Sequence, residues 1–452
     1  MKYWLLALAL LLQDPLTIPQ RLDRITEEVT AIRLLLNPPE PEPTETIYIV
    51  PAGESLQDKL DWVPEGAIVE LEQGAVYPGP VTIRKPLTLR KQGNDMEVGA
   101  RPVVTCPVQQ QAIFIEAPNV TLRGLEVKGN CNDAIWLKPT ALNTLIEHSY
   151  IHGEGSAKNG ITLHGSAIIR HNLIDDIYRV GQESHGIVSW EGGPYVIEHN
   201  SIAAASINVL IGGSDPSSEA VHPHDLTFRN NYLWKKLDWR GKGYAVKNLF
   251  ELKILKGGTI ADNTMEYSWV DGQLGWGLVI SVRNQSGTAP WSIIENVTIE
   301  RNTIRHVAGG ISWLGQDDRA GYPSQRTRNV TIQQNLFEDI NKTTWGTNGR
   351  AIQLNQGSEN LILDANIVRG GDVHSFLFFA GPTTIPHVGL QVTTHTATEG
   401  RWGIFGDNNT GFGVNPLKVY APGYTWTAVT LERNPASFQP QTYPSGTVIV
   451  TP

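Results

Sequence analysis

Short strand-like runs that end in a shared asparagine recur along the chain, and this repeat limits the possible folds most strongly. The asparagines follow one another at intervals of 28 to 39 residues. A single coil of this length cannot bury its apolar face, but stacked coils can, and aligned asparagines then form a hydrogen-bonded ladder. The repeated positions are Asn172, Asn200, Asn231, Asn263, Asn302, Asn335 and Asn366.

This pattern predicts an all-β, right-handed parallel β-helix over residues 47–400, with residues 401–452 as a C-terminal coil and cap. A second strand set lies between the asparagine-ended runs and begins at Ala134, Gly160, Gly186, Gly310 and Ala351. Leucine-rich repeats are the main alternative, but their period of ~20–29 residues and their leucine consensus fit poorly. A propeller requires regular four-stranded blades, and these units are too short for that.

The N-terminal segment has a different pattern. Residues 1–17 are mostly apolar and are expected to act as an anchor or a signal-like segment, although no good cleavage site follows. Residues 18–36 have heptad spacing with leucine or valine at a and isoleucine at d, which favours three or four strands over two. A helix packed on its own domain is the alternative. The predicted oligomerisation residues are Ile18, Leu22, Ile25, Val29, Ile32 and Leu36.

The proline-rich residues 37–46 end this helix and are expected to form an extended linker, so the first 46 residues resemble a stalk. The chain has 36 basic and 45 acidic residues, a net charge of −9, which argues against a nucleic-acid partner. Cys106 and Cys131 are 25 residues apart, close to one coil, so we expect them to be stacked. Both a disulfide and two free thiols are compatible with that spacing.

Beyond residue 206 the sequence resembles right-handed β-helix proteins of the pectate-lyase-like superfamily, which occur in bacteria and phage. Many such proteins have no assigned reaction, but the resemblance implies binding or cleavage of long anionic polysaccharides. Lyases of this group use Ca²⁺ with arginine, or lysine with arginine. The stretches that carry the resemblance are GGSDPSS (212–218), VKNLFELK (246–253), SVRNQSGTAPWS (281–292), SQRTRNVTIQQNLFEDI (324–340) and YPSGTVIVTP (443–452).

Strand alternation gives one candidate catalytic group. In LFELKIL the residues Glu251 and Lys253 are predicted to point outward, and in LVISVRN so is Arg283. Lys253 and Arg283 are 30 residues apart, about one coil, so we expect them to be neighbours on one face. Such a cluster resembles the lysine–arginine arrangement of some polyuronate lyases. A solvated charge ladder or a salt-bridged cluster is the alternative.

The loop after the GISWL strand is a second candidate. Asp317 and Asp318 are predicted to bind Ca²⁺ or to act as acid and base, although paired aspartates beside glycine are also common in turns. Arg319 and the preceding Trp313 are expected to contact carbohydrate together with them. No cofactor is required by any motif, and Ca²⁺ is a possible ligand.

A third candidate is a column of residues on one outer face. Lys138, His164 and Trp190 follow one another at intervals of 26 residues, and Trp136 lies beside this column. Aromatic rings on such a face stack against sugars, and a cation pairs with sugar carboxylates. An aromatic column covered by a loop is the alternative. His222 and His224 are metal-ligand types, but the lack of a third ligand at a suitable spacing predicts no metal site.

These features together predict a carbohydrate-engaging structural β-helix, anchored by its stalk as a virion-associated fibre, spike or decoration protein. The expected partners are further copies of the same chain (a trimer or another homo-oligomer), a polysaccharide, and capsid or tail proteins. The expected location is extracellular, at the virion surface. A secreted polyuronate lyase is the first alternative, and a purely structural cell-surface protein is the second.

Overall fold

Three long sheets of stacked parallel strands form the body of the protein. The computed structural model describes residues 46–93, 99–346, 349–433 and 439–451. The predicted anchor, the heptad helix with its oligomerisation residues, and residues 37–45 of the linker lie outside the described residues. The chain visits sheet 1, sheet 2 and sheet 3 in turn, so each coil contributes one strand to each sheet. The prediction of a right-handed parallel β-helix is confirmed.

Sheet 1 has 14 strands in the described ranges: Ile47–Val50, Ala67–Leu71, Leu87–Lys91, Val120–Arg123, Thr144–Glu147, Ala167–Arg170, Tyr195–Glu198, His224–Arg229, Leu255–Ala261, Ile294–Glu300, Arg328–Gln333, Glu359–Asp364, Gln391–Thr393 and Thr425–Thr427. Sheet 2 has 14 strands there: Val76–Pro78, Val103–Cys106, Glu126–Gly129, Tyr150–Gly153, Leu173–Ile177, Ser201–Ala204, Tyr232–Trp234, Thr264–Ser268, Thr303–Val307, Leu336–Ile340, Ile367–Arg369, Thr396–Thr398, Val429–Glu432 and Thr447–Val450.

Sheet 3 has 13 strands in the same ranges: Val81–Ile83, Gln111–Ile115, Asp133–Leu137, Asn159–Leu163, His185–Ser189, Ile207–Ile211, Phe250–Leu252, Trp276–Ser281, Gly309–Leu314, Arg350–Asn355, Ser375–Ala380, Ile404–Gly406 and Gly411–Phe412. The last of these runs antiparallel to its neighbour. The α-helices are Leu56–Trp62, Lys342–Trp345 and Val414–Tyr420, and the 3₁₀ turns are Glu219–Val221 and Leu237–Trp239.

The interior is filled by residues at alternate strand positions, stacked coil upon coil. Ile135 pairs with Ile161, which pairs with Ile187, and all three are buried. Because side chains alternate between the two faces of a strand, this register brings every second residue of sheet 3 to the outside. The outward face of sheet 3 thereby becomes a continuous surface made from many coils.

The predicted asparagine ladder forms the bend between sheets 1 and 2. The main-chain N–H and Nδ2 of Asn172 both donate to Oδ1 of Asn200 at 3.0 Å, and the same contacts recur up to Asn366. The residue before each asparagine turns the chain in a left-handed conformation, as at His171 and His199 (φ 55° each). The buried amides satisfy main-chain groups that the bend removes from the strand ladder.

The two cysteines lie on neighbouring coils of the N-terminal half. Cys106 and Cys131 have Cα atoms 5.6 Å apart and form a disulfide. The expectation that they are stacked is confirmed, and of the two alternatives that the spacing leaves open the structure has the bonded pair. The disulfide therefore links two successive coils covalently.

Candidate functional site

A cleft of about 250 Å³ lies on the outward face of sheet 3. Its floor consists of outward residues of adjacent strands, with Glu251 beside Val279 and Val279 beside Ser312. Gln273 and Leu274 line it from the segment that enters the strand Trp276–Ser281. The cleft also includes Lys253, Arg283 and Asp318, so one residue of the second predicted group lines the same site as the first group.

Glu251 lies at the bottom of the cleft between two inward residues, Phe250 and Leu252. Its side chain is almost fully buried and forms an ion pair with Lys253. Nδ2 of Asn248 donates to Oε2 of Glu251 at 3.2 Å and to Oε1 of Gln273 at 2.8 Å. Because a buried carboxylate is stable only with such partners, Glu251 is held in one position.

Arg283 connects the strands of the floor to the loop after GISWL. Its main-chain N–H donates to the carbonyl oxygen of Lys253 at 3.2 Å, which confirms that these two residues lie on adjacent coils. Its Nη1 donates to Oδ1 of Asp317 at 2.9 Å and also forms an ion pair with Asp318. Arg283 is therefore anchored at both its main chain and its side chain.

Asp317 organises this loop from a fully buried position. Oδ2 accepts hydrogen bonds from the N–H of Asn284 at 2.9 Å and from Nη2 of Arg319 at 3.1 Å. Burial alone would raise the pKa of this carboxyl, but the hydrogen bonds from Arg319 and Asn284 and the charge of Arg283 hold it below its usual value. Asp317 is thus a positioning residue, whereas Asp318 is half exposed and lines the cleft.

The prediction that Trp313 contacts carbohydrate is wrong. Trp313 is fully buried, in register with Ile280 and Leu354 inside the coil. Since Ile311 points inward, strand alternation sends Ser312 outward and returns Trp313 to the core. The tryptophan that lines the cleft is instead Trp276, at the start of the preceding strand of sheet 3, and its side chain is itself almost fully buried.

The predicted outer column lies on the same sheet, toward the N-terminal end. The strand register, continued past the strand ends, sets Lys138 beside His164 and His164 beside Trp190. Lys138 forms an ion pair with Glu116, and Nδ1 of His164 lies 3.4 Å from Oε1 of Glu191. The Trp136 and His164 rings meet edge to face at 6.0 Å. These side chains are partly exposed, so the column forms a mixed aromatic and charged surface.

Residues that sequence reasoning missed include Trp276, Ser281, Ser312 and Asn355, all of which line the cleft. Ser281, Ser312 and Asn355 occupy outward positions of sheet 3, so the same alternation that selected Glu251 would have identified them. Trp276 has the phase of the inward Leu278 and Ile280, so alternation would have placed it in the core. His222 is buried, its Nε2 accepts a hydrogen bond from the N–H of Ile293 at 3.3 Å, and burial lowers its pKa to about 4. Its contacts therefore belong to loop packing.

Within the ranges that the structure describes, no group of three or more histidine, cysteine, aspartate or glutamate side chains is arranged to hold a metal ion. Among the helices of these ranges, none has the length and apolar character that a membrane crossing requires.

Solved structures share the fold. The catalytic domain of a GH87 α-1,3-glucanase, solved in complex with tetrasaccharides, matches with a TM-score of 0.52 at 14% identity, over 91% of this chain and 69% of that one. The Dettilon tailspike protein matches with a TM-score of 0.49 at 12% identity, over 85% and 62%, so this chain spans less than two thirds of it.

The pectate lyase Pel9A matches with a TM-score of 0.41 at 12% identity, over 80% of this chain and 77% of that one. No family model and no curated protein matches the sequence. At this identity the likeness to the GH87 catalytic domain concerns the fold alone, and the fold of this chain is the parallel β-helix that its three sheets define.

Proposed function

We propose that the protein binds a polysaccharide along the outward face of sheet 3, with the cleft as the anchoring point. The observation that carries the proposal is that Lys253, Arg283, Glu251 and Asp318 meet in one cleft on a floor of paired strands. The cleft offers cations and carboxylates together, with the edge of the largely buried Trp276 in its wall. Hydroxyl-rich ligands require donors and acceptors at close range, and aromatic rings provide an apolar contact with an adjacent polar edge.

The length of the face supports a polymer over a single sugar. The predicted column starts at the strand Asp133–Leu137, and the cleft extends to Asn355 in the strand Arg350–Asn355, seven strand steps away in sheet 3. At ~4.8 Å per step this corresponds to about 34 Å. Partly exposed charged side chains mark both ends of this distance, and the aromatic rings of the column lie at the N-terminal end. The GH87 glucanase, whose structure contains tetrasaccharides, makes glycan binding compatible with the fold.

The charge arrangement favours binding over lyase chemistry. Lys253 is in an ion pair with Glu251, and Arg283 is paired with two aspartates. A lysine that removes a proton must be neutral, whereas an ammonium paired with a buried carboxylate acts as an electrostatic group. The polyuronate lyase remains the second candidate because Lys253 and Arg283 are adjacent beside a carboxylate.

An extracellular, virion-anchored role forms part of the proposal. The disulfide between Cys106 and Cys131 suits an oxidising environment. The heptads of residues 18–36, with the proline-rich linker after them, suit attachment of a side-by-side oligomer, most simply a trimer, to capsid or tail proteins. A purely structural cell-surface role lacks an explanation for the polar cleft.

The test measures binding of the full chain to pectate, alginate, capsular polysaccharides and lipopolysaccharide. We expect binding to at least one polymer, and a loss of tenfold or more in Lys253→Gln and Arg283→Gln. Lys418→Gln, which removes an exposed lysine from the helix Val414–Tyr420, is the matched control and should bind as the unmodified chain does. Absorbance of unsaturated products, with and without Ca²⁺, reports the lyase alternative. Silence across the panel would contradict the proposal.

A further inference from the structure

A second depression, of about 670 Å³, opens beside the segment that also lines the cleft. Trp269, Val270 and Asp271 line it, whereas Gln273 and Leu274 of the same segment line the cleft. Its other walls come from residues 240–243 and 343–346, two loops that connect sheet 2 to sheet 3 about one hundred residues apart in sequence.

Arg240 is the central side chain of this depression. Its guanidinium carbon lies 5.0 Å from the Trp269 ring centroid and 4.6 Å from that of Trp345. Nη2 donates to the carbonyl oxygen of Thr344 at 3.4 Å, and within the described ranges no carboxylate pairs with it. Burial lowers the pKa of Arg240. Arg240 packs on the two rings yet remains exposed, and without an anion most of its five donors have no protein partner.

The two tryptophans that hold Arg240 are firmly fixed. Nε1 of Trp345 donates to Oδ2 of Asp339 at 2.9 Å, and Nδ1 of His306 lies 2.9 Å from the same oxygen. Both indole rings are almost fully buried. Gly346, at φ 150°, lets the loop approach closely, because a Cβ there would lie 2.0 Å from Cγ2 of Val270. The seat of the guanidinium is therefore preformed.

Arg240 differs from most of the other basic residues of its loop in having no acidic partner. Residues 235–247 contain five cations and only one acid. Lys236 pairs with Asp175 and Asp176, and Lys247 with Glu183, while the buried Lys235 donates to main-chain carbonyls. Arg240 and Lys242, both exposed, have no acidic partner in the part of the chain that the structure describes. An unpaired cation pair in a chain of net charge −9 marks an anion-accepting surface.

We propose that this depression binds a carboxylate-bearing sugar as a site separate from the cleft. The guanidinium of Arg240 accepts the carboxylate in the two-pronged geometry that arginine favours. Asp271 lines the same depression, and in the described residues its carboxylate has no hydrogen-bond or ion-pair partner, so it is available to accept sugar hydroxyls. Lys242 does not line the depression, but it lies between the lining residues Gly241 and Gly243 and adds positive charge to this loop. The ligand class, a saccharide, rests on the proposed function, while the carboxylate specificity rests on Arg240.

The test uses the full chain and saturation-transfer NMR with glucuronate and galacturonate as probes, beside glucose and galactose. We expect a signal from the uronates only, reduced at least fivefold in Arg240→Gln and less strongly in Lys242→Gln. Lys242 is exposed and outside the tryptophan seat, so its variant keeps the test valid if Arg240→Gln folds poorly. Lys418→Gln is the matched control and should leave the signal unchanged.

Three results would overturn the inference: no uronate signal, equal signals from neutral hexoses, or unchanged uronate signals in both variants. Lys253→Gln distinguishes the two proposals. If it abolishes polysaccharide binding while Arg240→Gln leaves the uronate signal intact, the cleft proposal stands and this inference fails. If uronates bind through Arg240 but no polymer binds, this inference stands and the cleft proposal fails.

Discussion

Lys253 and Arg283 are 30 residues apart in sequence, yet the N–H of Arg283 donates to the carbonyl oxygen of Lys253 at 3.2 Å. This contact follows from the parallel stacking of coils, in which residues about one coil apart become neighbours. It brings two cations to one cleft without a loop that must fold over the sheet. The following predictions depend on this stacking and on the contacts around it.

Substitutions at Asp317 and Asp318 should have different effects, because Asp317 positions the loop and Asp318 lines the cleft. Asp317→Asn weakens buried contacts to Arg283, Arg319 and Asn284, so we expect a loss of about 3 kcal/mol in the free energy of unfolding together with weaker glycan binding. Asp318→Asn, at a half-exposed side chain, should change unfolding by less than about 1 kcal/mol. Urea unfolding with polysaccharide binding measures both. Equal stability of the two variants would contradict the role assigned to Asp317.

Loss of a single asparagine from the ladder should lower the stability of the protein. Asn263→Ala removes the acceptor for the main-chain N–H and Nδ2 of Asn231, and the donor to the carbonyl of Phe228. Because these groups are buried, we expect a loss of about 3 kcal/mol in unfolding free energy. Asn415→Ala, at an exposed asparagine of a helix, is the control and should have little effect. If the two variants had the same denaturant midpoint, the asparagine ladder would not stabilise the fold as we expect.

Acid should destabilise the fold through buried histidines. Burial lowers the pKa of His387 to about 3 and those of His222 and His395 to about 4. The unfolded chain binds these protons near pH 6.5 and the folded chain only below about pH 4, so stability falls as pH decreases across this window, by roughly 1 kcal/mol per pH unit and histidine.

Urea midpoints between pH 7.5 and 4.5 would measure this effect. A variant such as His395→Gln should flatten the pH dependence, whereas His224→Gln, at a more exposed histidine, should leave the slope unchanged. A midpoint that stays constant down to pH 4.5 would contradict the assignment of these side chains as neutral and buried.

The disulfide should stabilise the N-terminal coils. Cys106→Ser with Cys131→Ser opens a covalent loop of 25 residues, so we expect a loss of about 3 kcal/mol in unfolding free energy. Thiol counting by mass spectrometry checks the bond, and unfolding in the presence of a reductant should reproduce the effect of the double variant. Two free thiols in protein prepared under oxidising conditions would contradict it.

The stalk prediction concerns residues before Ile47. If the heptads of residues 18–36 associate, the full chain is an oligomer, most simply a trimer, and a chain starting at Thr46 forms an oligomer of fewer subunits or a monomer. Size-exclusion chromatography with light scattering compares the two. Identical monomers would remove the stalk from the account, and a truncated chain that remains a trimer would move the interface to the β-helix.

Much of the fold was predictable because stacked coils repeat a pattern. The asparagine spacing identified the bend, and alternation along LFELKIL identified Glu251 and Lys253 as outward residues. Both depend on local periodicity and on neighbours one coil away. The error at Trp313 arose where alternation was not applied: the residue was judged by its ring, although Ile311 two positions earlier points inward.

The loops were less predictable, since the repeat does not determine their conformation. Asp317 looked like a cleft residue, but arginines from two positions enclose it within the loop. The seat of Arg240 joins two loops about one hundred residues apart, and only the pairing of successive coils brings Trp269 and Trp345 together around it. No spacing in the sequence indicates that contact.

Hydrogen–deuterium exchange of the full chain, with and without the polysaccharide that it binds best, tests the central claim most directly. We predict that protection increases in residues 250–253, 276–283 and 312–318, which form the cleft, and that the outward face of sheet 1 is unchanged. Protection confined to sheet 1 or to the C-terminal coils, with no change in those three segments, would contradict polysaccharide binding on sheet 3.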